Sequence, residues 1–168
     1  MEKQRIFDLI AAEGPYPELK DKLMLYGQLV GSWDIAGTWY EQDGKSRKRN
    51  GEWHFTWMLG GRGVQDVLFA VDAPRDQYGI TIRCYDAEQD IWHVSWMQPY
   101  GGEFVHLVGR GVGDTILQEG QGSDPHRRER WTFRDITSTS FLWQGEVSFD
   151  EGGTWFLEQE MHANRMKE

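Results

Sequence analysis

The sequence predicts an all-β protein: a single closed antiparallel up-and-down barrel of about ten strands behind a short helical N-terminal segment. Three observations carry that prediction. From Leu29 onward apolar residues recur at every second position, the period of a half-buried strand. About ten such runs follow one another, separated by Gly, Pro and Asp turn signals at short intervals. Nine Trp, six Tyr and eight Phe occur among 168 residues, and they gather on one face of the runs.

In chain order, residues 1–28 form the helical segment. Ile6, Leu9 and Ile10 have helical spacing, and Gly14-Pro15-Tyr16-Pro17 breaks it. Leu19, Leu23, Leu25 and Tyr26 suggest a second short helix. Residues 29–168 form the barrel domain, with strands expected at about 31–41, 51–58, 62–71, 79–85 and 91–97. Further strands are expected at about 103–110, 114–118, 128–134, 140–149 and 154–164. Asp43-Gly44, Gly60-Gly61, Ala73-Pro74, Gly101-Gly102, Gly113-Asp114 and Gly152-Gly153 mark turns.

Alternation assigns the faces. Trp53, Phe55 and Trp57 oppose His54, Thr56 and Met58, and Trp92, Val94 and Trp96 oppose His93, Ser95 and Met97. Phe141, Trp143 and Val147 oppose Leu142, Gln144 and Glu146 in the same way. A closed barrel puts the aromatic face inside, where ten strands leave room for a ligand. The competing arrangement is a collapsed sandwich whose rings fill the interior. The expected ligand wall is Trp33, Trp39, Phe55, Trp57, Ile82, Trp96, Trp131 and Trp143, with His106 and Gln159 as inward polar groups. His106 shares a face with Phe104 and Val108; in the other register Val105 and Leu107 point inward instead.

Composition narrows the function classes. A formal charge of −9 argues against a nucleic-acid partner. The one basic run, Lys45-Ser46-Arg47-Lys48-Arg49, reads as a solvated turn. Cys84 is the single cysteine, so no intrachain disulfide forms, and beside Ile80 and Ile82 it reads as a small buried hydrophobe. The charged N-terminal stretch is neither a secretory signal nor a membrane span, so the expected location is cytoplasmic, with no membrane partner. His54, His93, His106, His126 and His162 lack metal-ligand spacing, and no metal or cofactor is expected. Glu146, Glu158 and Glu160 are the strand carboxylates to weigh for acid–base work, and alternation places them outside. Phe156, Leu142, Met97 and Met58 on the outer face suggest a homodimer.

The first strand opens Leu29-Val30-Gly31-Ser32-Trp33, and the last closes Met161-His162-Ala163-Asn164-Arg165. Here the chain resembles the calycin superfamily, the lipocalins and fatty-acid-binding-protein-like barrels. The resemblance implies that Trp33 plugs the closed barrel end, Gly31 permits close approach and Arg165 stacks on the indole. Residues 29–165 also resemble a bacterial calycin-like family of unknown function, which implies a fold and no catalytic residues. Ser148-Phe149-Asp150-Glu151-Gly152-Gly153-Thr154-Trp155 resembles the Asp-box hairpin motif; a single copy implies a turn, not a sialidase propeller. Nitrobindins are ten-stranded haem barrels with a histidine near the C-terminus, where this chain has His162. Their first-strand motif is absent, and if Trp155, Leu157, Met161 and Arg165 face inward then His162 faces outward. The leading expectation is a protein that holds an apolar or aromatic small molecule. The alternative is a cofactor-independent isomerase, cyclase or lyase in the same cavity with His106 as acid or base, and haem on His162 comes third.

Overall fold

The computed structural model describes residues 2–167. Helix α1 (Glu2–Ile10), a two-residue strand β1 (Ala11–Ala12) and helix α2 (Lys20–Gly27) precede ten long strands. These are β2 (Gly31–Tyr40), β3 (Ser46–Met58), β4 (Gly63–Ala70), β5 (Gly79–Asp86) and β6 (Ile91–Gln98). They continue as β7 (Glu103–Val112), β8 (Thr115–Gly122), β9 (Arg128–Arg134), β10 (Ser140–Ser148) and β11 (Phe156–Arg165). Each strand pairs antiparallel with the next, and β11 pairs with β2 from Gln159↔Trp39 to Arg165↔Trp33, which closes the barrel. Closure pairs each of the ten long strands on both sides over most of its length.

Two features lie outside the alternation signal. Strand β1 pairs Ala11 with Met58 and Ala12 with Trp57, continuing the ladder beyond the start of β2. Strand β3 begins at Ser46, so most of the basic run belongs to a strand, with Thr38↔Lys48 and Gly37↔Arg49 in register. Its side chains are exposed, as expected, but its backbone is paired. With no buried face there, no apolar period reveals the strand.

One end of the barrel is sealed from its own sequence. Leu23, Tyr26 and Leu29 are fully buried, so α2 and the turn after it are part of the core. Trp33 is also fully buried and donates from Nε1 to the Leu29 carbonyl at 2.8 Å. The Arg165 guanidinium lies 4.0 Å from the Trp33 ring centroid and donates to the carbonyls of Val30 at 3.0 Å and Ser138 at 2.6 Å. Gly31 has φ +129°, a conformation that favours glycine, and a Cβ there would push the Arg165 guanidinium from its place.

The β10–β11 hairpin is closed by the Ser148–Trp155 motif. Asp150 Oδ1 accepts from Ser148 Oγ and from the Thr154 amide, each at 2.7 Å, and Oδ2 accepts from Thr154 Oγ1 at 2.8 Å. The Gly152 amide donates to Ser148 Oγ at 2.8 Å, and Trp155 Nε1 donates to the Gly152 carbonyl at 3.1 Å. The Thr154 amide first, then the Ser148 and Thr154 hydroxyls, hold the Asp150 carboxyl down at about 2. Because the folded value lies below the unfolded one, this stabilisation is complete above about pH 4 and fades as pH falls toward 2. Amide exchange at Thr154 should therefore speed up over that interval. In Asp150→Asn it should be fast throughout, with no step in that range.

A register shift corrects the faces of the last strand. Gly145 pairs with Gln159 but Glu146 pairs with Leu157, so Glu158 is the extra residue of a β-bulge. Leu157 consequently shares the outer face with Glu146, and Phe156 shares the inner face with Val147. Met58, expected outside, is buried at the β1 junction. Two of the four outer hydrophobes that suggested a homodimer are thus not available on the barrel wall. Cys84 is on the outer face and half-buried rather than in the core.

Candidate functional site

At the end opposite α2 the barrel is open. The turns after β2, β4, β6 and β8 surround a cavity of about 730 Å³ that runs down to Trp53, Arg83 and Met161. Five tryptophans line it: Trp39, Trp53, Trp96, Trp131 and Trp143. Trp131 and Trp143 meet edge-on with centroids 5.5 Å apart, Trp96 and Trp131 at 6.5 Å, and Trp53 and Trp143 at 6.2 Å.

Below the cavity the interior is solid. Phe133 packs between Trp53 and Phe141, with centroids 5.5 Å away in each case, and Trp33 lies 4.7 Å from Phe141. The barrel is therefore part core and part hollow, and α2 with its neighbours fills the sealed half.

Charge enters the interior at two places. Asp66 and Arg83, each 1 % exposed, form a buried ion pair, and the Thr81 amide donates to Asp66 Oδ1 at 3.2 Å. The Arg83 guanidinium also lies 5.2 Å from the Tyr26 ring centroid and 5.4 Å from that of Phe55. Higher on the wall, Arg127 donates to both oxygens of Glu158, at 3.0 and 2.6 Å, and its Nε donates to Glu129. Trp131 Nε1 donates to Glu129 Oε2 at 3.3 Å. Burial pushes the Glu129 carboxyl above its ordinary value despite the opposing pull of Arg127. The bulge at Glu158 is what brings this carboxylate to the cavity.

The residues expected from sequence separate into three groups. Trp39, Trp96, Trp131, Trp143 and Gln159 line the cavity. Trp33, Phe55 and Trp57 face inward but belong to the packed part, at 0 %, 4 % and 5 % exposure. Ile82 and His106, expected inside, are on the outer face. Thr81 and Arg83 point inward on β5, so Ile82 between them points out. On β7 Val105 and Leu107 are buried, and His106 is exposed beside Ser95 Oγ at 3.1 Å. That removes His106 as an acid or base in the cavity. His162 is also on the outer face, between buried Met161 and Ala163, which gives haem no ligand there inside the barrel.

Arg83, Arg127, Glu129, Glu158 and Trp53 line the site and were not among the expected residues. Trp53 was detectable from its alternation with Phe55. Charged residues at inner positions carry no apolar signal, and the bulge reverses parity locally, so the others were not. Among the described residues no group of His, Cys, Asp and Glu has the geometry of a metal site, and no helix is long and apolar enough to cross a membrane.

A family model described as protein of unknown function (DUF1579) matches residues 20–164. No curated protein sequence matches the chain. Among solved structures, the chain is similar to the S-type phycobiliprotein lyase CPES from Guillardia theta, with a TM-score of 0.60 at 9 % identity, covering 86 % of this chain and 92 % of that one. It is also similar to Rv2717c from M. tuberculosis, with a TM-score of 0.59 at 15 % identity, covering 87 % and 98 %. Identities this low show a shared barrel fold alone.

Proposed function

The chain is a member of the DUF1579 family of proteins of unknown function, and on that premise we propose that it binds a small, flat, apolar or aromatic molecule inside its barrel. The observation that supports this most is the cavity of about 730 Å³ walled by five tryptophans and open at one end. The volume suits a ligand of drug-like size, and the five indoles offer flat apolar contact between charged groups such as Arg83, Arg127, Glu129 and Glu158. A naphthalene-based probe should quench tryptophan emission saturably with one site per chain. Trp131→Ala should weaken that binding about threefold to tenfold, the range of one aromatic contact. Emission unchanged at high micromolar probe would remove the proposal.

A second reading is a cofactor-independent enzyme that works in the same cavity. It is favoured by Glu129, a buried cavity carboxyl whose proton affinity is raised by desolvation, beside Arg127 and Glu158. One of the barrels with a similar fold is a phycobiliprotein lyase. In this reading Glu129 replaces His106 as the acid or base. Glu129→Gln should then retain a bound molecule while abolishing its conversion. A ligand recovered chemically unchanged from wild-type protein leaves binding alone.

A further inference from the structure

We infer that the outer wall of the barrel carries an esterase-like site, in which Ser32 attacks an acyl ester whose chain lies along an apolar row beside it. Ser32, His54 and Glu52 do not line the cavity, so the site stands apart from the ligand reading. His54 is directly opposite Ser32 across the β2–β3 ladder, and its Nδ1 lies 2.8 Å from Ser32 Oγ. Its Nε2 lies 2.9 Å from Glu52 Oε2. A carboxylate only accepts, so in the neutral ring Nε2 carries the proton and Nδ1 accepts from the Ser32 hydroxyl. Carboxylate, imidazole and hydroxyl thus stand in the order that activates a serine. The chain is open to reagents: the His54 and Glu52 side chains are 37 % and 34 % exposed, and Ser32 is half-buried. Phe69 stacks on the His54 ring with centroids 5.8 Å apart, and Tyr78 stacks on Phe69 at 4.3 Å, which fixes the imidazole plane.

Register names the acyl bed. Val67 is opposite His54, Ile80 opposite Val67, Met97 opposite Ile80 and Phe104 opposite Met97. Directly opposite residues share a face, so Ser32, His54 and these four form one row on the outer wall from β2 to β7. At the usual strand spacing the row is about 24 Å long. Ile80 and Phe104 are exposed, and Val67 and Met97 are half-buried. The four residues beyond His54 are apolar and uncharged. A hydroxyl activated at one end of such a row fits the ester of a fatty acyl chain.

The chemistry balances with water alone as co-reactant. Ser32 Oγ bonds to the ester carbonyl carbon while its proton passes to His54 Nδ1. The bond from that carbon to the alcohol oxygen breaks, and the leaving alcohol takes the proton from Nδ1. Water then attacks the acyl-serine and gives a proton to Nδ1. The bond from the carbonyl carbon to Oγ breaks, Oγ recovers the proton, and the carboxylic acid departs. Ser32 is the nucleophile and His54 the base, whereas Glu52 is a positioning residue that sets the tautomer of the ring.

The test treats the full chain with p-nitrophenyl acetate and p-nitrophenyl octanoate. Nitrophenolate release is followed, and acid-quenched protein is mapped by peptide mass spectrometry. The acyl group should be found on Ser32, and octanoate should react about tenfold faster than acetate, the gain from burying about two methylenes on the row. Ser32→Ala should abolish the protein-dependent release, and His54→Gln should slow it about a hundredfold, the loss of one general base. Glu52→Gln should slow it less and turn the single Nε2–H tautomer, read from the His54 ring ¹⁵N shifts, into a mixture. The adduct map and the wild-type tautomer do not depend on any variant folding. Acyl groups on lysines with Ser32 free, release unchanged in Ser32→Ala, or a wild-type His54 protonated on Nδ1 alone overturns the nucleophile. Equal rates for acetate and octanoate overturn the acyl bed.

Discussion

Replacing Asp66 by Ala should destabilise the protein by about 3–5 kcal/mol, the cost of leaving one partner of a buried ion pair without the other. Arg83 would lose its carboxylate partner at 1 % exposure, with the Tyr26, Phe55 and Phe133 rings beside it. Ring faces attract a guanidinium, but they do not replace a carboxylate that accepts its hydrogen bond. The urea midpoint should fall accordingly. The double replacement Asp66→Leu with Arg83→Met removes both charges and should recover much of the loss, because an apolar pair of similar volume has no charge to desolvate. A double variant as unstable as Asp66→Ala would show that the loss comes from packing and not from the orphaned charge.

Trp33→Ala should cost a similar amount, about 3–5 kcal/mol, for a different reason. The indole is fully buried, meets Phe141 edge-on at 4.7 Å, carries Arg165 on its face and donates to Leu29. Its loss opens the sealed end, where α2 and the closing pair β2–β11 come together. Trp33→Phe should cost less, since it retains a ring against Phe141 and loses the N–H donated to Leu29. Because Trp33 lies below the cavity and does not line it, the folded fraction of either variant should bind an aromatic probe within about twofold of wild type, the level expected of a residue that makes no ligand contact. A probe affinity that collapses in Trp33→Phe would instead put this ring in the ligand wall.

Those two residues mark what alternation can and cannot disclose. Period puts Trp53, Phe141 and Trp143 on the inner face, the resemblance on the first strand puts Trp33 there, and the structure places all of them inside. Period does not say how deep along the barrel a ring sits. Trp33, Phe55 and Trp57 therefore read as ligand wall from sequence but are part of the packed half. On β5 the period misleads outright. Ile80 and Ile82 are apolar and outside, while Thr81 and Arg83 are polar and inside. The inner position of Arg83 depends on Asp66, 17 residues earlier on the neighbouring strand, a pairing invisible until register is known. On β11 the bulge brings Glu158 to the cavity while leaving Gln159 and Met161 on the inner side. Nothing in a run of Phe156-Leu157-Glu158-Gln159-Glu160 announces where an extra residue is inserted.

The hollow itself is best probed by the nine tryptophans, which report on both halves of the barrel. In a ¹⁵N-indole titration of the wild type with 2-acetylnaphthalene, the resonances of Trp39, Trp53, Trp96, Trp131 and Trp143 should shift saturably with one site per chain. Those of Trp33, Trp57, Trp92 and Trp155, none of which lines the cavity, should move far less. Shifts confined to the second group, or no saturable shift in the first, would contradict a ligand-holding barrel.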